Sequence, residues 1–396
     1  MQHVSWSRSA NIYEVNVRQY TPEGTLNAFA SHLPRLHLMG VDILCLMPIQ
    51  VTGKFKRQDS LGQPEAIVDY TKVNPEFGTL KDFKALVQAA HALGLKVIMD
   101  WVASGTARDH AWVKQNPDWY LKSDKSAETK GKADLLGLDY SQKPVWTAMT
   151  QAMVHWVKEA DIDGFRCIEA DALPLKFWQQ ARVKLEAQKP MFMVTDASDP
   201  QLHDAAFDVT SDDELHDLLR KLVQGQADVR DIKSYLMTSK AACPKNAYRM
   251  TFTVAQSGMA SHPTECIDYG DAFGAMAVIA ATLPGIPMMS SGQEAGVQIA
   301  LKSNQKSKMD WQNLKFEKFY NTLWALKKQH PALHNGDAGA PVEVFDVDNQ
   351  NIFAFRRQKG INVVAVQVNL TGQNQTFNLH GKPRKLSAWE HQIQTN

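Results

Sequence analysis

Asp163-Gly164-Phe165-Arg166-Cys167-Ile168 decides the reading of this chain. It follows an amphipathic stretch, Val145 to Ala160, and reads as a short buried strand entered from a helix. The same alternation recurs outward in both directions. Upstream, Asn11 to Asn16 reads as a strand, Leu26 to Met39 as a helix, and Val41 to Met47 as a second strand ended by Pro48. Leu80 to Leu93 carries apolar residues at helical spacing (Leu80, Phe83, Leu86, Val87, Ala90) with Gly94 at its C′ position, and Lys96 to Val102 is the third strand. Downstream, the helix Pro174 to Gln188 precedes the strand Met191 to Thr195. Ala206–Thr210 and Arg249–Val254 are further strands, and Ile286–Ser290 follows the helix Tyr269–Thr282. Eight strand candidates alternating with helices predict an α/β fold, a (β/α)8 barrel.

Residues 103 to 142 form a polar stretch too long for an ordinary βα loop and predict a small subdomain inserted after the third strand. Beyond the helix Phe316–Gln329 the pattern changes to short strands separated by turns: Val342–Asp346, Ile352–Gln358, Asn362–Asn369 and Gln375–Leu379. The expected organisation is barrel over 1–102, insert over 103–142, barrel again over 143–336, and an antiparallel β domain over 337–396.

Composition narrows the function classes. The 396 residues are 44% apolar and 21% charged with a net charge of +1, which fits a soluble globular protein and disfavours nucleic acid or an anionic membrane as partner. No apolar stretch approaches the ~20 residues needed to span a bilayer. Met1-Gln2-His3-Val4-Ser5-Trp6 lacks a basic region followed by an apolar one, so the chain is cytosolic or has lost a leader, and the compartment stays open. Cys45, Cys167, Cys243 and Cys266 are widely spaced, with neither a C-x-x-C nor a His pair at metal spacing. They read as free thiols, and no metal and no cofactor are expected.

Several segments resemble the α-amylase family of retaining glycoside hydrolases. Tyr13-Glu14-Val15-Asn16 with Tyr20 to Thr25 resembles its opening, and Val73-Asn74-Pro75-Glu76-Phe77-Gly78-Thr79 its segment before the second helix. Asp100 within Val97–Val102 resembles its first signature strand, Asp163-Gly164-Phe165-Arg166 opens its second, and Ser291 to Gly296 (SGQEAG) resembles the loop after its eighth strand. The resemblance implies a barrel, a B subdomain, a C-terminal β domain and a glucan cleft at the strand C-termini. It also implies an aspartate nucleophile, a glutamate general acid and a second, transition-state aspartate, with the two reacting carboxyls about 5 Å apart.

At each of those positions this chain differs. Ile168 stands at the nucleophile position, and an isoleucine cannot attack an anomeric carbon. Asp196 stands at the general-acid position, one methylene short. Ala255-Gln256-Ser257 replaces the expected Asn-His-Asp run, leaving Ser257 at the transition-state position. Ser104-Gly105 replaces an Asn-His pair and removes a common calcium ligand, and Gln63-Pro64-Glu65-Ala66 replaces an aromatic platform. Scaffold cues survive while substrate-facing positions change.

The surviving polar residues have competing roles. Asp100 and Arg166 read as a buried ion pair at the barrel mouth more readily than as catalytic groups. Glu169 and Asp171 are the carboxylates nearest the lost nucleophile. Strand alternation sends Glu169 away from the cleft, and Asp171, ahead of Pro174, suits helix capping. Gln256 and Trp101 are cleft-lining candidates. Trp101, Trp112, Trp119 and Tyr120 either stack on pyranose rings or form the insert's own core. The expectation is a catalytically silent family member that binds α-glucan, another small molecule or a protein partner. The alternatives are altered chemistry through Asp196, Glu169, Asp171 or Asp199, and residual α-glucosidic hydrolysis.

Overall fold

The computed structural model describes residues 2–55, 61–122, 134–254, 269–297, 306 and 309–396. Eight parallel strands close into a barrel: β1 (Ile12–Val15), β2 (Ile43–Leu46), β3 (Lys96–Val102), β4 (Gly164–Ile168), β5 (Phe192–Thr195), β6 (Val209–Ser211), β7 (Tyr248–Thr251) and β8 (Ile286–Ser290). Each strand pairs with its neighbours in sequence, and β8 returns to β1. Alternation divides their side chains into two populations. Ile12, Ile43, Cys45, Ile98, Phe192, Val194, Val209, Met250 and Met288 fill the barrel interior. Tyr13, Val15, Leu44, Leu46, Val97, Met99, Trp101 and Phe165 pack outward with the helices.

Gly164 opens β4 because nothing larger fits: a Cβ there would come within 1.9 Å of the Phe192 carbonyl oxygen on β5. The helix Leu80–Ala92 starts from a Thr79–Asp82 capping box, and Gly94 holds φ +80° just beyond its end. The expected helix Leu26–Met39 is two helices, Leu26–Ala30 and Leu33–Met39. Pro34 sits in the first turn of the second, where its missing N–H costs nothing, and the chain bends at Ser31-His32 ahead of it. The sixth and seventh strands are shifted and shorter than expected. Between them lie two helices, Asp213–Val223 and Val229–Ala242.

Within the inserted stretch, Gly105–Ala107 pairs antiparallel with Leu135–Gly137, and Ala111–Gln115 is a short helix. A second hairpin, Gln50–Thr52 with Ile67–Val73, leaves the barrel after β2. At the C-terminus Val342–Val344, Ile352–Lys359, Asn362–Asn369 and His391–Thr395 form a four-stranded antiparallel sheet. Gln375–Leu379 and Lys382–Leu386 form a separate hairpin. Among the described residues no helix is long and apolar enough to cross a membrane.

Candidate functional site

The interior of the barrel is polar at one level. Arg166 projects inward from β4 and lies opposite Asp100 of β3 in register. Its Nε and Nη2 donate to the two Asp100 carboxylate oxygens at 2.6 and 2.7 Å, a bidentate fork, while Nη1 donates to Glu14 Oε1 of β1 at 2.6 Å. Glu14 also accepts from the Ser290 hydroxyl of β8 at 2.5 Å, and the Cys45 thiol lies 3.4 Å from Asp100 Oδ1. All of these side chains are shut off from solvent. The two carboxylates hold Arg166 firmly in its charged form against the opposing effect of burial. Asp100 and Arg166 therefore form a buried ion pair that ties four strands together through Glu14 and Ser290.

Above this level the strand ends carry the mouth. Ile168 pairs with Val102 at the end of β4, shares Arg166's strand parity, and is 7% exposed. Glu169 follows in a left-handed conformation (φ +52°, ψ +44°) that a non-glycine residue adopts only at an energetic cost. Its backbone N–H donates to Asp196 Oδ1 at 2.8 Å. Asp196 comes directly after β5, half-buried. Burial pushes its carboxyl up to about 7, with the Glu169 N–H and the Arg166 charge pulling against that shift and Asp100 and Glu169 reinforcing it. A carboxyl of that kind holds its proton on a substantial fraction of molecules at neutral pH and can donate it.

Sequence reasoning placed several of these residues and misplaced others. Ile168, Glu169 and Asp196 come together at the mouth. The left-handed turn breaks the alternation that would have carried Glu169 to the opposite side. Trp101 does not line the cleft. It is fully buried on the helix side, its ring 5.2 Å from Tyr70 and 5.4 Å from Phe165, because its inward-facing neighbour Asp100 commits it to the outer face. Asp171 is exposed in a 3-10 turn (Ala170–Ala172). It caps nothing, since the helix Leu175–Glu186 starts at Pro174 without a side-chain cap. Asp199 accepts from Gln201 N at 2.9 Å, an N-cap to the next turn. Gln256 and Ser257, with Ala255, lie outside the described residues, as does Cys266.

The insert's aromatics pack on one another. Trp112 lies 5.3 Å from Trp119, 4.5 Å from His110 and 5.8 Å from Tyr70, and Tyr120 shares a 3.0 Å hydrogen bond with Thr106. They form the insert's own core. Burial in this cluster lowers the His110 imidazole to about 4, which keeps it neutral.

The loop after β8 is fixed by groups the sequence did not single out. Glu294 Oε1 accepts from the Tyr13 hydroxyl at 2.5 Å and from Arg35 at 3.0 Å, and Gln293 Nε2 donates to Thr253 at 3.2 Å and Tyr320 at 3.1 Å. Glu14 was missed as well, and the parity of Ile12 and Glu14 was the available signal.

The family model described as alpha amylase, catalytic domain, matches residues 6–135. Alpha-amylase MalA of Haloarcula japonica is 26% identical over 399 residues, covering 95% of this chain and 57% of that protein. The alpha-1,4-glucan:maltose-1-phosphate maltosyltransferase of Rhodospirillum rubrum is 31% identical over 205 residues, 45% of this chain and 30% of that one. The chain thus spans little more than half of the first relative's length and under a third of the second's. Among solved structures, an alpha-amylase from Lactobacillus plantarum superposes with a TM-score of 0.88 at 24% identity over 99% of this chain and 100% of its own. A noncanonic maltogenic alpha-amylase, AmyB of Thermotoga neapolitana, superposes at 0.84, also with 24% identity, over 98% and 96%.

Proposed function

Because the chain belongs to the α-amylase family of (β/α)8 barrels, we propose that it binds α-glucan at the C-terminal mouth of its barrel without running the two-carboxylate hydrolysis. The observation that carries this reading is Ile168. It ends β4 with the parity of Arg166, where the double displacement needs a carboxylate about 5 Å from the general acid. Among the described residues, the inward-facing carboxylates of β1 and β3 are engaged within the barrel. Asp100 spends both oxygens on Arg166, and the Arg166 guanidinium is shared between Asp100 and Glu14. A glucan ligand is supported by the names of the relatives, an alpha-amylase and a glucan maltosyltransferase.

A second reading has one observation in its favour. Asp196, raised to about 7 beside Glu169, is the acid half of an acid–base pair and would serve altered chemistry in the same mouth. Asp196→Ala and Glu169→Ala separate the two. Binding without turnover predicts no kinetic consequence for either substitution, because the wild type already yields no product. Altered chemistry predicts measurable turnover in the wild type and its loss in both variants.

A further inference from the structure

The C-terminal sheet meets the barrel across two buried cations, and among the described residues neither has a carboxylate partner. Arg357 sits in the sheet strand Ile352–Lys359 and Lys327 in the helix Glu317–Gln329, and each residue is 1% exposed. Arg357 answers the end of the helix Phe273–Thr282. Its Nη1 donates to the Thr282 and Leu283 carbonyls at 3.0 and 3.2 Å, its Nε to the Ala340 carbonyl at 2.8 Å, and its Nη2 to the His334 carbonyl at 3.3 Å. Carbonyls at a helix C-terminus lack partners within the helix and carry its negative end, so a guanidinium belongs there. Burial lowers Arg357 to about 9, which leaves it charged at neutral pH.

Lys327 faces a different set of acceptors. Its Nζ donates to the carbonyl of Gly285, the residue before β8, at 3.0 Å and to the Leu333 carbonyl at 2.8 Å. An ammonium has three N–H groups to satisfy, whereas a neutral amine has two. Among the described residues the fold supplies two. Burial opposes the charged form, Arg357 repels it, and the pull of Asp42 in the other direction is weaker. Asp42 is already engaged: Oδ1 pairs with Lys328 at 2.8 Å, and Oδ2 accepts from the Asn11 side chain at 2.9 Å. Burial also lowers the neighbouring His334 imidazole, with Lys327, Lys359 and Arg357 adding to the shift, so His334 supplies no charge of its own at neutral pH.

We infer that Lys327 is carried as a neutral amine and that its protonation is an acid-sensitive release for the clasp between the barrel and the C-terminal sheet. A proton taken from solvent turns the amine into an ammonium. It adds a third N–H without an acceptor and sets a second positive charge beside Arg357, shut away from water. The unfolded chain titrates this lysine at the ordinary 10.5 and the folded chain well below it. Between those values the folded state binds fewer protons. The group's contribution to stability is therefore fully present above the unfolded value and is lost as pH falls toward the folded one.

The test uses the full chain and Lys327→Met, which fills a similar volume and cannot titrate. Melting temperatures from pH 6 to 10 are expected to show the variant gaining on the wild type as pH falls; titration elsewhere in the chain is common to both and cancels. A constant difference across that range means that Lys327 titrates as an ordinary lysine and overturns the inference. A second measurement needs no variant. In wild-type protein labelled with carbon-13 at lysine Cε, one lysine is expected to show the neutral-amine shift at pH 8, and a spectrum with every lysine charged overturns the inference. Hydrogen exchange, corrected for its intrinsic pH dependence, reads the release itself. Amides of Ile352–Lys359 are expected to lose protection by up to about tenfold per pH unit as pH falls, and those of β3 less. Equal losses in both would mean that the proton weakens the whole fold, and would overturn the release.

Discussion

The carboxylate of Asp196 accepts a 2.8 Å hydrogen bond from the backbone N–H of Glu169, a residue held at φ +52°. One strand end thereby pins the strained turn that closes its neighbour. The bond makes Asp196 a structural acceptor as well as a proton-bearing acid.

Removing that acceptor takes away the part-buried hydrogen bond between the Glu169 N–H and Asp196. Asp196→Ala is expected to cost about 1–3 kcal/mol of stability, and Asp196→Asn, which retains a carbonyl acceptor, less. Glu169→Gly relieves the left-handed strain and is expected to be neutral or stabilising. Urea denaturation of the three variants checks the order.

The raised Asp196 carboxyl sets a pH dependence whose sign follows from proton counting. The folded state titrates this group at about 7, while the unfolded chain titrates it near the ordinary aspartate value of 3.8. Between those values the folded state binds more protons, so this group's contribution to stability is fully present below the unfolded value and is lost as pH rises toward about 7. Melting temperatures from pH 4 to 8 are expected to show Asp196→Asn gaining on the wild type as pH rises. Parallel profiles would mean that Asp196 titrates as an ordinary exposed carboxyl.

Arg166→Met strands two buried carboxylates, Glu14 and Asp100, without their cation. A loss of about 3–5 kcal/mol is expected. A triple replacement of Glu14, Asp100 and Arg166 by apolar residues of matching volume is expected to recover much of that loss. Denaturation midpoints of the two variants give the comparison directly.

Ile168→Asp restores a carboxylate at the end of β4 but is not expected to restore hydrolysis, since Asp196 is one methylene short and Ser257 lacks a carboxyl. The new group would enter a mouth already holding Asp196 and Glu169, and like-charge repulsion is expected to lower stability as pH rises. Product from maltoheptaose above a buffer blank would count against this account.

Calcium is expected to leave the melting temperature unchanged. Ser104 stands where the family resemblance implies an asparagine ligand, and its backbone carbonyl is already engaged by the Leu138 N–H at 3.0 Å. A rise on adding calcium, reversed by a chelator, would show a site elsewhere.

The barrel was legible because each unit carried its own punctuation: Pro48 after β2, Gly94 before β3, and Gly164 where β4 meets β5. Parity within a strand was legible too. Asp100 facing inward already commits Trp101 to the helices. The break at Ser31-His32 was hidden because Pro34 is as much at home in a helix's first turn as in a linker. The left-handed turn at Glu169 had no local signal, since the acceptor that Asp196 offers to its N–H lies 27 residues away in sequence.

The most direct test of the central claim is calorimetric titration with maltoheptaose, run beside a sensitive hydrolysis assay on the same sample. Saturable binding with no product above the blank is the predicted result. Product that accumulates with time and disappears in Asp196→Ala would contradict it and make the barrel mouth a working active site.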